Sequence, residues 1–112
     1  MDIEVADAAK KDLDRLPNPV RDTFYSKVES TEKNLDIGAT PKQAFDKYLS
    51  GNMNPVLQMN LGRDFRAWFI EGKYIDSFNE DLIYCFKVLT KKEAKDLTDR
   101  IPDAVTFLQS LL

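Results

Sequence analysis

The run LIYCFKVL, residues 82–89, limits the fold of this chain more than any other feature. It is the most apolar stretch in the sequence and reads as a strand with a central place in a sheet. Period-two alternation puts Ile83, Cys85, Lys87 and Leu89 on one face and Leu82, Tyr84, Phe86 and Val88 on the other. The run stops at Thr90-Lys91-Lys92-Glu93. A threonine followed three residues later by glutamate is the signature of a capping box, here opening a helix through about residue 99.

The rest of the chain supplies what packs against that strand. Ile3 and Val5 alternate with acids over residues 1–6, which predicts a short strand able to pair with the sheet's edge. Asp7 is placed to cap a helix over 8–16, with Ala9, Leu13 and Leu16 at helical spacing. Pro17-Asn18-Pro19 breaks it, and a second helix over 19–35 carries Val20, Phe24 and Val28 on one stripe. The short break makes the two a hairpin. Thr40-Pro41-Lys42-Gln43 then opens a helix bearing Ala44, Phe45, Tyr48 and Leu49, which ends near Ser50-Gly51. Strands follow over 56–61, with Leu57, Met59 and Leu61 on one face, and over 64–70, with Phe65, Ala67 and Phe69 opposite Arg66, Trp68 and Ile70. Gly62-Arg63 is the turn between them. The connection over 72–81 has room for a short strand at 73–78. Pro102 starts a last helix with Val105, Leu108 and Leu112 on its stripe. The expected architecture is one α+β domain over 1–112, an N-terminal helical hairpin packed on a small antiparallel sheet with a C-terminal helix.

Composition narrows the chemistry. A chain of 112 residues, 43% hydrophobic and 31% charged, has enough apolar surface for one core without metal or disulfide support. The single cysteine, Cys85, excludes an internal disulfide and fits a reducing cytoplasm. There is no histidine, so no imidazole activates that thiol or binds a metal, and acid–base work falls to carboxylates, lysine, arginine or tyrosine. Four glycines make no phosphate loop, and no cofactor or metal site is expected. No run nears the roughly 20 apolar residues of a membrane span, and the first residues lack the order of a signal peptide, so no membrane partner is expected.

The charge is uneven. The chain carries −3 overall, yet residues 87–95 hold Lys87, Lys91, Lys92 and Lys95 against Glu93 alone, a local +3. Lys91 and Lys92 in a helix's first turn oppose its dipole, at a cost of a few tenths of a kcal/mol each. They fit either a solvated surface pair or an anion held by the helix's free N–H groups. Lys87 inside an apolar strand requires that its face be partly wet. The sheet is then expected to show one helix-covered face and one open face presenting Arg66, Lys87 and Gln58, with Trp68 nearby, a set suited to phosphates and unstacked bases. Core packing of Trp68 and pairing of Arg66 with an acid are the alternative.

The order of elements, with DFRAWF followed by a hairpin and IYCFKVLTKKEAKDL, resembles the RelE/ParE superfamily of toxins from type II toxin–antitoxin pairs. EVADAAKKDLDRLPNPVRDTF is similar to the family's opening, Phe65-Arg66 to its aromatic-arginine pair, and Lys91-Lys92-Glu93 to the basic pair after its last strand. The resemblance implies a metal-independent endoribonuclease that cleaves messenger RNA on the ribosome and stops translation, with a cognate antitoxin as partner. It implies catalytic roles for Arg66, Lys92 and Lys91 through charge stabilisation, while the candidates for nucleic-acid contact are Arg63 and, from the sheet-face reading, Lys87, Gln58 and Trp68. Tyr84 is a further candidate for proton transfer. Leu57-Gln58-Met59-Asn60 stand where ribosome-dependent members carry lysines, and no tyrosine follows the basic pair. The alternative is a protein of the same fold that binds DNA gyrase or another protein without cutting.

Overall fold

The computed structural model describes residues 1–111. The chain runs through β1 (Asp2–Val5), α1 (Asp7–Asp14), α2 (Asn18–Asp36), α3 (Pro41–Ala44), β2 (Lys47–Tyr48), β3 (Leu57–Leu61), β4 (Phe65–Glu71), β5 (Leu82–Thr90), α4 (Lys91–Arg100) and α5 (Ala104–Leu111). The five strands form one sheet in the order β1-β5-β4-β3-β2. The pairs β2–β3, β3–β4 and β4–β5 are antiparallel, and β1 lies parallel to β5. The architecture is α+β, with the helical hairpin α1–α2 on one face of the sheet. Among the described residues no helix is long and apolar enough to cross a membrane.

Alternation on β3 and β4 works as their sequences dictate. Leu57, Met59, Leu61, Ala67 and Phe69 point to the hairpin and meet Ala9, Leu13, Phe24, Val28 and Leu35. Phe69 sits 4.8 Å from the Phe45 ring and 6.3 Å from Phe24, ring centre to ring centre. Gly62 turns β3 into β4 at φ +68°, a conformation that suits glycine. Gly72 is held differently: a Cβ there would run into the Asn79 carbonyl. A 3-10 turn over Gly72–Tyr74 occupies the connection where a strand at 73–78 was expected.

The opposite face is not open. Trp68 and Ile70 lie under a second apolar layer with Met53, Val56, Phe86 and Leu89, capped by Ala94 of α4, Ile101 just after it, and Ala104 and Leu108 of α5. Trp68 is 0% exposed, so the expected wet face is corrected over this half of the sheet. Pro102 precedes rather than opens α5, whose start is capped by Asp103, its carboxylate accepting from both the backbone and the hydroxyl of Thr106. Those two bonds, the hydroxyl's first, hold the Asp103 carboxyl below its ordinary range. Leu112 of the expected stripe lies outside the described residues.

The alternation predicted for β5 breaks at a bulge. Trp68 pairs with Lys87 and Phe69 with Cys85, leaving Phe86 as an extra residue on β5. Cys85 and Val88 therefore both face the hairpin, while Phe86 and Leu89 both face α4 and α5. Beyond the bulge β1 has ended and the edge of β5 is covered by α1 instead. Asp12 accepts the Val88 N–H at 3.0 Å and holds the Lys87 ammonium at 3.5 Å, with its side chain 13% exposed. Asp7 is the first residue of α1 rather than its cap.

The expected third helix is also shorter. Its capping box at Thr40 and Gln43 forms, but the helix stops at Ala44. Phe45 turns extended and the chain joins the sheet edge, with Asp46 N donating to Gln58 O at 3.0 Å and Leu49 N to Val56 O at 2.8 Å. Burial of Phe45 against Phe69 and these ladder bonds outweigh the local helical spacing.

Asp12→Ala should leave the buried Val88 N–H without a partner and cost about 1–3 kcal/mol. Asp12→Asn, which keeps an acceptor, should cost less. Urea unfolding at constant m-value measures both, and equal stabilities for the wild type and the alanine variant would contradict the role assigned to Asp12.

Candidate functional site

One part of the second sheet face remains uncovered, between the β2–β3 edge, the start of β4 and α4. There a cleft of about 600 Å³ is lined by Lys47 from β2, Gln58 and Asn60 from β3, Arg66 from β4 and the α4 residues Lys91, Ala94, Lys95, Thr98 and Asp99. Asp46, Tyr48, Leu49, Ser50 and Met53 also line it. Four cations thus share the cleft with two carboxylates, on a chain that is net negative.

Local bonds bring these groups together. Thr90 pairs with Phe65 across the β4–β5 ladder, so α4 begins beside the β3–β4 turn. The Lys91 N–H donates to Asp64 O at 2.8 Å and pins the helix start to that turn. The capping box then forms as expected: Glu93 N donates to Thr90 Oγ1 at 3.1 Å, and Thr90 N to Glu93 Oε1 at 3.0 Å. These bonds occupy backbone donors that an anion at the helix N-terminus would need. The positive charge facing the cleft is therefore carried by side chains. Lys91 and Lys95, one turn apart on α4, face it together. At the far end of α4, Asn52 donates to the carbonyls of Thr98 and Ile101 and ties the helix to the loop before β3.

Arg66 is anchored at one nitrogen. Its Nη1 donates to the carbonyls of Phe65 at 2.7 Å, Gly62 at 3.2 Å and Arg63 at 3.4 Å. Among the described residues its other nitrogens have no protein acceptor, which leaves donors for an incoming oxyanion. None of Lys47, Arg66, Lys91 and Lys95 lies within 4.0 Å of a carboxylate among the described residues.

Not every residue singled out in the sequence reaches this place. Arg66 and Lys91 do. Lys92 is exposed on α4 outside the cleft lining, and Arg63 is exposed on the turn, with its carbonyl turned to Arg66. Lys87 is engaged by Asp12, and its charge also helps to lower the Glu93 carboxyl. Gln58 lines the cleft, but its amide is spent internally: Oε1 accepts from Trp68 Nε1 at 3.1 Å, and Nε2 donates to Asn60 Oδ1 at 3.2 Å. Trp68, sealed in the core by that bond and by Phe86 at 6.3 Å, has no face on which a base could stack. Tyr84 is buried, with its hydroxyl accepting from Asn79 N at 3.2 Å. Cys85 is fully buried, and desolvation pushes its thiol well up. Lys47 was hidden because its segment reads as helix. Lys95 was legible only as part of the basic cluster, although its spacing from Lys91 places both on one helical face.

No family model matches the chain. No solved structure matches it either. Among curated proteins, a D-alanine–D-alanyl carrier protein ligase of Listeria innocua serovar 6a is 29% identical over 75 residues, covering 55% of this chain and 15% of the ligase. The match thus spans about one-seventh of that protein's length, and a likeness of this extent assigns no family.

Glu93 offers a pH test of the helix start. The Thr90 N–H, above all, holds its carboxyl below the ordinary glutamate value. A carboxylate depressed on folding stabilises the native state above its unfolded pKa and ceases to do so as the pH falls through the folded one. The stability advantage of the wild type over Glu93→Gln should therefore be constant above about pH 5.5 and shrink below about pH 4.3. Thermal unfolding from pH 3 to 7 checks this, and a gap independent of pH would contradict it.

Proposed function

We propose that this protein is a RelE/ParE-type toxin, a metal-independent endoribonuclease acting on messenger RNA in the cytoplasm and held in check by a cognate antitoxin. The observation that carries the reading is the convergence of Arg66, Lys91 and Lys95 from two separate elements on one cleft, with no carboxylate paired to any of them among the described residues. Cations fixed before substrate arrives stabilise the charge that develops on phosphorus oxygens as a ribose 2′-hydroxyl attacks. In this reading Arg66 grips the scissile phosphate through its free nitrogens, and Lys91 takes the supporting position that the sequence resemblance gave jointly to Lys91 and Lys92.

A specific feature favours a second reading, a protein of this fold that binds gyrase or another target without cutting. No tyrosine is available for proton transfer in the cleft: Tyr84 is buried, and the Tyr48 hydroxyl donates to Glu71 Oε2 at 3.0 Å. Burial first, then that bond, pushes the Tyr48 phenol up to about 12. In the nuclease reading a lysine or a carboxylate of the cleft serves instead.

Induced expression in bacteria separates the two. The nuclease reading expects growth arrest with cleavage of ribosome-bound transcripts, reduced about 10²- to 10³-fold by Arg66→Ala and further by adding Lys91→Ala. Lys92→Ala should change it little. Arrest with intact transcripts and induced DNA damage would overturn cleavage in favour of gyrase binding, and healthy growth would count against both.

A further inference from the structure

The cleft extends beyond the reach of a single phosphate. Lys47 stands on the edge strand in register with Gln58, and Gln58 with Trp68. Arg66 lies two strands away and two residues along, opposite Asn60. Strand spacing and rise put the two backbone positions about 12 Å apart. Lys91 and Lys95 border the space between them on the α4 side.

We infer that the cleft is a track for a single-stranded RNA backbone, holding at least two consecutive phosphates, with Arg66 on one and Lys47 on its neighbour toward the sheet edge. The inference rests on the RNA reading above and adds a residue to it. Three observations support it. Lys47 is exposed, lines the cleft and, among the described residues, has no carboxylate within 4.0 Å. Three other cavities, around Lys10, Lys27 and Arg100, each hold one cation with at least one acid and so do not concentrate positive charge. The aromatics near the track are constrained: Trp68 is sealed in the core, and Tyr48, which lines the cleft, has its hydroxyl donated to Glu71. Phosphate charge is then the main handle for binding along it.

Salt dependence tests the inference. The probe is a fluorescent 2′-O-methyl oligouridylate, which lacks the attacking hydroxyl and stays intact, titrated between 50 and 200 mM KCl. Each phosphate contact on a single strand contributes about 0.7 to the slope of log K against log salt. Lys47→Gln and Arg66→Gln should each lower the slope by about that amount, whereas Lys42→Gln, exposed on α3 outside the cleft, should leave it unchanged. Circular dichroism confirms that each variant is folded. An unchanged slope in Lys47→Gln with a reduced one in Arg66→Gln would overturn the track and leave the RNA reading standing. Equal losses in all three variants would indicate a diffuse field and also overturn it. No binding by the wild type would remove the RNA reading and the track with it.

Discussion

The pairing of β4 with β5, interrupted once at Phe86, is the constraint on which the rest of the molecule depends. Before the interruption Cys85 faces the hairpin; after it Val88 does, and Leu89 moves to the side of α4 and α5. Without the extra residue the last third of β5 would present its apolar side chains to the wrong layers. The same register sets Thr90 opposite Phe65, and so places the start of α4 against the β3–β4 turn. Core and cleft are thus built from one ladder. Its aromatic end is sealed by α4 and α5, and its Arg66 end is left uncovered.

Charge placement follows from that geometry. Lys87, the lysine most prominent in the sequence, sits beside the bulge where α1 crosses the strand edge, and Asp12 meets it there. Its ammonium is neutralised next to the core, as burial of a charge requires. The cleft cations are arranged differently. Arg66 is fixed by carbonyls, which orient it without neutralising it, and the lysines project from a helix face and an edge strand into water. Asp46 is occupied in accepting the Asn60 N–H at 2.6 Å. An acidic protein can therefore carry a local positive cleft.

Much of the fold was legible because local signals and burial agreed. The hairpin stripes of Leu13, Phe24 and Val28, the alternation of Leu57-Met59-Leu61 and Phe65-Ala67-Phe69, and both threonine capping boxes all appear in the structure. The failures share a cause. Phe45, Tyr48 and Leu49 have helical spacing, but Phe45 is buried more favourably against Phe69 with the chain extended. The β5 alternation was broken by an extra residue that no local pattern announces. Trp68 has both a stacking face and a hydrogen-bonding edge, and Gln58, reached only through strand pairing, decided between core and surface. For the site, Arg66 and Lys91 were visible as residue types, whereas Lys47 was concealed within a segment that reads as helix.

Composition and pattern alone determined an α+β chain with a central apolar strand, a capped helix directly after it, a chemistry without histidine and a store of lysines near that helix. Those properties are local: they depend on side chains a few residues apart along one element. Which lysines remain unpaired, which face of the sheet is wet and which cations share a cleft were decided only by the tertiary structure. Each depends on partners far apart in the chain, Asp12 with Lys87, Asp64 with Lys91 and Gln58 with Trp68, and such encounters are set by register and packing rather than by proximity in sequence.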